Sequence, residues 1–182
     1  MRELSLHILD LAQNSLAAGA TLITIKISES PSNNLLSIEI SDNGKGIEPE
    51  RLQDVVNPFY TTRYSRKVGL GLSLFRAAAE RSGGSFNLNS RIGVGTEVVA
   101  DFKYDDIDRA PLGNIADTII TLVIANPETE FYYYHQYEDR IFTFDTRELS
   151  RNILRSELGI PIIANQLGQY LKDAVAELRQ AN

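Results

Sequence analysis

Leu35-Leu36-Ser37-Ile38-Glu39-Ile40-Ser41-Asp42-Asn43-Gly44-Lys45-Gly46-Ile47 is the stretch on which the reading of the chain turns. Its first half puts Leu36, Ile38 and Ile40 on one side, the period-2 pattern of a strand with one buried face. Its second half ends that pattern on a carboxylate followed by two glycines, so the chain leaves the sheet in a tight loop. Just upstream, Thr21 to Ser28 alternates through Ile23, Ile25 and Ile27, and Pro31-Ser32-Asn33-Asn34 between the two runs is turn chemistry. Together they predict a β-hairpin.

Helical periodicity lies on both sides of this hairpin. Over residues 3–18, Leu4, Ile8, Leu11 and Ser15 recur at i, i+4, i+7 and i+11, and Leu9, Ala12 and Leu16 widen the apolar side. Gly19 suits the helix end. A second stripe on the same helix, Glu3, His7, Asp10 and Asn14, is wholly polar at the same spacing. Downstream, Glu48 to Val56 predicts a short helix with Pro49 in its first turn, 57–68 a loop, and Gly71 to Arg81 a long helix ended by Gly83-Gly84. Ser85 to Ser90 and Thr96 to Phe102 predict a second hairpin. Residues 1–103 therefore predict an α+β, two-layer sandwich, with helices on one face of a mixed, mostly antiparallel sheet.

The charged segment Tyr104 to Arg109 marks a candidate boundary. Beyond it, residues 104–182 predict a C-terminal helix–hairpin–helix appendage of α/β character. Its parts are a helix near 113–124, a hairpin from Phe131 to Asp145 around Glu138-Asp139, and helices over 147–158 and 166–179. Asp145-Thr146-Arg147-Glu148 has the form of a cap and first turn. No catalytic set is visible there, so an interaction or regulatory role is expected.

Composition narrows the function classes. The 182 residues are 43% hydrophobic and 23% charged, as in ordinary globular proteins. A net charge of −6 speaks against a nucleic-acid-binding footprint over the whole molecule. The absence of cysteine excludes disulfides and thiolate chemistry, and two histidines make a structural zinc site unexpected. The N-terminal residues are charged throughout and no charge-free apolar run reaches membrane-spanning length, so a soluble, cytoplasmic protein without membrane attachment is expected.

Four motifs follow one another across about 90 residues. They are Asp10-x-x-x-Asn14; Asp42-Asn43-Gly44-Lys45-Gly46-Ile47; Pro58-Phe59-Tyr60-Thr61-Thr62-Arg63 leading into Gly69-Leu70-Gly71-Leu72-Ser73-Leu74; and Gly93-Val94-Gly95-Thr96. This ordered array resembles the nucleotide-binding (Bergerat-type) fold shared by sensor histidine kinases, type II topoisomerases, mismatch-repair ATPases, heat-shock chaperone ATPases and anti-sigma-factor kinases. The resemblance covers residues 3–102.

That resemblance implies ATP with Mg²⁺. Asp42 would accept from the exocyclic amine of adenine, with Thr96 joining it, often through water. Gly44 and Gly46 would let the backbone approach the base. Asn14, through an amide oxygen, would be the metal ligand, and Asp10 one turn earlier would orient an attacking water. In hydrolytic relatives the Asp10 position resembles a glutamate, one methylene longer. Gly69, Leu70 and Gly71 would offer phosphate-binding N–H groups at a helix N-terminus, with Arg63, Arg66 and Lys67 on the loop above. His7 reads as a helix-face residue, because the kinases carry their acceptor histidine on a separate upstream hairpin. The family also has a strand and more helix before the asparagine helix, so one sheet edge is expected to be open here. The hairpin 131–145 is its candidate cover, in cis or from a second subunit of a homodimer. Three functions are implied: phosphoryl transfer to a partner protein of the two-component or anti-sigma type, ATP hydrolysis driving a conformational or dimerisation switch, and nucleotide sensing without turnover.

Overall fold

The computed structural model describes residues 3–55, 70–149 and 160–180. The loop expected over 57–68 and nearly all of the helix expected over 147–158 lie outside them. One sheet contains β1 (Leu22–Ser30), β2 (Leu35–Asp42), β3 (Phe86–Arg91), β4 (Gly95–Lys103), β5 (Glu130–Tyr137) and β6 (Arg140–Asp145), in the order β3-β4-β2-β1-β5-β6. Neighbours are antiparallel except β1 and β5, which run parallel. The helices described are α1 (Leu4–Ala17), α2 (Pro49–Val55), α3 (Gly71–Arg81), α4 (Ile115–Ala125) and α5 (Ile160–Arg179). This is the α+β architecture with a mixed, mostly antiparallel sheet that the motifs imply.

The strand period dictates which face is covered. Leu88, Val98, Ile40, Ile25, Tyr133 and Phe144 form one continuous row across all six strands, and the next row runs Phe86, Ala100, Ile38, Ile27, His135, Phe142. The inner members of both rows are buried beneath α1, α3, α4 and α5, while the alternate residues Thr24, Lys26, Ser28 and Glu39 stay half-exposed on the other face. Leu4, Ile8, Leu11 and Ser15 of α1 all point into this core. Phe75 of α3 is fully buried and meets Phe86 and Phe102 edge-on or tilted. Each such aliphatic or aromatic burial contributes about 1.5–3 kcal/mol.

The predicted cover for the open edge is present within the same chain. β5 pairs with β1 from Leu22↔Glu130 to Glu29↔Tyr137, so the C-terminal hairpin continues the sheet. A buried polar cluster fixes this join. Glu29 is 3% exposed, and its Oε1 accepts from His135 Nε2 at 2.8 Å and from Arg179 Nε and Nη2 at 2.9 and 2.7 Å. Tyr104 donates to the other oxygen at 3.4 Å, and the Tyr133 hydroxyl meets His135 Nδ1 at 2.7 Å. Burial alone would raise the Glu29 carboxyl, but the bonds from His135 and Arg179 outweigh it and hold the group below its ordinary value.

Two boundaries differ from expectation. α4 starts at Ile115 because Gly113 is left-handed and the Asn114 side chain caps the helix, accepting from Asp117 N–H at 3.1 Å. α5 starts at Ile160, earlier than 166, with Pro161 in its first turn, where a missing N–H costs nothing. Asp145 does act as a cap, accepting from Arg147 N–H at 2.9 Å, for the 3₁₀ turn Thr146–Glu148. Among the described residues no helix is long and apolar enough to cross a membrane.

Candidate functional site

At the other end of the sheet from Glu29, a further row reads Ser90, Thr96, Asp42, Ile23, Phe131. Here the sheet opens into a cavity of about 890 Å³ between β2, β4, α1 and α2, within the ~300–1,000 Å³ typical of small-molecule sites. Its apolar lining includes Leu11, Ile40, Ile47, Leu72 and Val98, and Asn14, Ser15, Asp42 and Thr96 bring polar groups to the same wall.

Asp42 is the last residue of β2 and is held from two sides. Ser15 Oγ donates to Oδ2 at 2.6 Å, and the Gly44 N–H donates to Oδ1 at 2.8 Å. A carboxylate has about four acceptor positions, so capacity remains after these two bonds. The loop behind it is fastened to the scaffold. Asn43 Oδ1 accepts the N–H groups of Thr21 and Leu22, Lys45 N–H bonds Ala18 O, and Gly93 N–H bonds Lys45 O. Gly46 has φ +72°, and a Cβ there would collide with the Arg91 carbonyl, so only glycine closes this loop.

The second half of the site lies where α1 meets α3. A Cβ on Gly71 would collide with Asp10 Oδ2 and come 3.6 Å from Asn14 Nδ2. The glycine therefore brings the start of α3 directly against both side chains of the α1 polar stripe. Leu70, the residue before α3, makes no side-chain capping bond to the helix, leaving the first-turn N–H groups without one of their usual partners. That end carries positive partial charge, so an amide, a carboxylate and a helix N-terminus converge on one place. Arg63, Lys67 and Gly69, like Arg66, lie outside the described residues.

His7, on the same stripe, does not face water. It is 3% exposed, packs on Phe75 with ring centroids 5.5 Å apart, and its Nδ1 finds no hydrogen-bond partner among the described residues. Burial, with nearby positive charge that includes Arg81, pulls it down to about 4. Ser15 and Ser90 escaped the motif reading. Ser15 was legible only as a hydroxyl on an otherwise apolar stripe, and Ser90 had no signal short of the β3–β4 register.

A family model described as histidine kinase-, DNA gyrase B-, and HSP90-like ATPase matches residues 2–106. The chain belongs to this family. It is 30% identical over 145 residues to the CAI-1 autoinducer sensor kinase/phosphatase CqsS of Vibrio cholerae, spanning 79% of this chain and 19% of that protein. It is 34% identical over 101 residues to the histidine protein kinase DivJ of Caulobacter vibrioides, spanning 53% of this chain and 17% of that one. The chain thus matches less than a fifth of the length of these curated relatives. Two solved structures share the fold. The MutL ATPase domain of Aquifex aeolicus complexed with ADP has a TM-score of 0.51 at 20% identity, over 74% of this chain and 60% of that one. The N-terminal domain of a DNA repair protein has a TM-score of 0.60 at 18% identity, over 88% and 59%.

Proposed function

We propose that this family member binds ATP with Mg²⁺ in the cavity and passes the γ-phosphoryl group to a partner protein. The observation that carries the reading is the division of the site into two chemistries. Asp42 and Thr96 stand on one register row at an apolar cavity wall, suited to a base carrying an amine. Asp10 and Asn14 stand against the backbone of Gly71 at a helix N-terminus, suited to phosphate. Family relatives include sensor kinases, and a structural neighbour holds ADP.

The residues fit the groups implied. Asn14 would hold Mg²⁺ through its amide oxygen, a hard ligand that suits the ion. Gly71, having no side chain, lets the backbone at the start of α3 approach Asp10 and Asn14 closely. When bound, ATP supplies an activated γ-phosphoryl group; transfer breaks its bond to the ADP oxygen and forms one to an acceptor atom on the partner. Asp42 holds the base, Asn14 and the α3 N-terminus hold the charge, and Asp10 is placed to accept a proton. Hydrolysis is the second reading, favoured by Asp10 lying beside Asn14, although its side chain is one methylene shorter than glutamate. His7 is not the acceptor in this scheme, since it is enclosed between α1 and α3. The setting is cytoplasmic.

Incubation with γ-labelled ATP, Mg²⁺ and lysate of the source cell tests this. Label on a second protein, lost with Asn14→Ala, is the expected result. Label released only as phosphate would select hydrolysis, and neither outcome, with nucleotide bound, would leave the sensor reading.

A further inference from the structure

Ser90 is the last but one residue of β3, and it pairs with Thr96 on β4, which pairs in turn with Asp42 on β2. Three bonds meet at its hydroxyl oxygen: the Ile47 N–H at 2.8 Å, the Gly95 carbonyl at 2.9 Å and the Thr96 hydroxyl at 2.9 Å. Counting protons gives these bonds a direction. A serine hydroxyl has one proton and two lone pairs. The Gly95 carbonyl can only accept, so it takes the proton. The Ile47 N–H can only donate, so it occupies one lone pair. The remaining lone pair meets Thr96, whose single proton must then point at Ser90.

We infer that Ser90 is a positioning residue for base selection: by taking the Thr96 proton it makes the Asp42–Thr96 end of the cavity acceptor-only, which favours a base with an exocyclic amine over a 6-oxo purine. This inference rests on the nucleotide-binding reading above. A neighbouring hydroxyl obeys the same polarity. Ser15 could donate to Leu11 O at 3.3 Å or to Asp42 Oδ2 at 2.6 Å, and the short bond to a carboxylate wins. Its proton is therefore also committed within the protein. Asp42 accepts only. Ser15, Asp42 and Thr96 then offer lone pairs to whatever enters, and none offers a proton.

A 6-amino purine brings donors to such a wall. A 6-oxo purine brings a carbonyl oxygen at the exocyclic position, which finds acceptors opposite it and loses its bonds to water without replacement, although its N1–H remains a donor. Without Ser90 the Thr96 hydroxyl is free to rotate and present its proton, so the wall becomes ambivalent. The effect expected is that of one hydrogen bond changing sign, about fivefold in relative affinity.

Calorimetry on the full chain with ADP and with inosine diphosphate, in which a carbonyl replaces the amine at that ring position and the adjacent N1 gains a proton, tests it. The wild type should prefer ADP. Ser90→Ala should lower the ADP-to-inosine-diphosphate affinity ratio about fivefold, while Ser90→Thr, which keeps the hydroxyl, should retain it. Thr96→Val should lower the ratio by itself, and adding Ser90→Ala to it should change nothing further. A purely structural role for Ser90 would weaken both nucleotides alike and leave the ratio intact; that result overturns the inference. So does an unchanged ratio in Thr96→Val, a readout available even where Ser90→Ala does not fold. Wild-type protein that binds neither nucleotide defeats the nucleotide-binding reading itself, an outcome separate from binding without the predicted change in ratio.

Discussion

Two carboxylates stand on the helix-covered side of the same sheet, and they have opposite fates. Glu29, near the end of β1, is buried and saturated by His135, Arg179 and Tyr104. Asp42, at the end of β2, accepts among the described residues from Ser15 and Gly44 and lines a cavity. The saturated group can only hold elements together. The unsaturated one has acceptor capacity for a ligand. The difference comes from chain paths: β5 and α5 close over one end of the sheet, and the loops after β2 and β3 leave the other open.

Converting each carboxylate to its amide separates the two roles. Glu29→Gln turns an amide N–H₂ toward the Tyr104 hydroxyl and leaves Arg179 without its counter-ion, so stability should fall by about 3 kcal/mol with nucleotide affinity unchanged. Urea unfolding would read this, and a loss below about 0.5 kcal/mol would break the comparison at its structural end. Asp42→Asn should do the reverse, costing about 2 kcal/mol of adenine-nucleotide binding, or roughly thirtyfold, with stability held to within about 1 kcal/mol.

Acid sharpens the contrast between His7 and Glu29. Folded His7 is held down to about 4 from an ordinary 6.5, so between those values the unfolded chain binds the extra proton and stability falls as pH drops. From pH 7 to pH 5 the loss from His7 should be about 2 kcal/mol, and His7→Leu should remove it. Glu29 is depressed below an ordinary 4.5, so its contribution is fully present above that value and is lost only as pH falls through its lower folded value. A variant lacking His7 that still loses stability between pH 7 and 5 would put the proton elsewhere. The smallest effect expected is Ser15→Ala, which removes one bond orienting Asp42 and should weaken adenine-nucleotide binding by about 1 kcal/mol. No change there would mean Asp42 needs no orienting partner.

How much of this was legible in the sequence follows the same divide. The hairpins, α1 and α3 were readable because their periods are strong, and the glycine loops because only glycine tolerates their close approaches. Asp10, Asn14, Asp42 and Thr96 could be singled out by motif order. The join between β1 and β5 is different: the resemblance offered the hairpin 131–145 as a candidate cover for an open edge, but not its strand partner, its register or whether it comes from the same chain. It pairs residues about 108 positions apart in sequence, Ile23 with Phe131 for example, and no local pattern encodes such a contact. Glu29, at a position of the strand pattern that otherwise reads Ile23, Ile25, Ile27, was the visible anomaly, as Ser15 was on α1. In both cases a polar residue on an apolar stripe had found its partner on a distant element.

Calorimetric titration of the full chain with an unhydrolysable ATP analogue and Mg²⁺, run beside Asp42→Asn, tests the central claim most directly. The wild type should bind saturably, one to one, and the folded variant about thirtyfold more weakly. No binding by the wild type at millimolar ligand, or equal binding by both proteins, would contradict it.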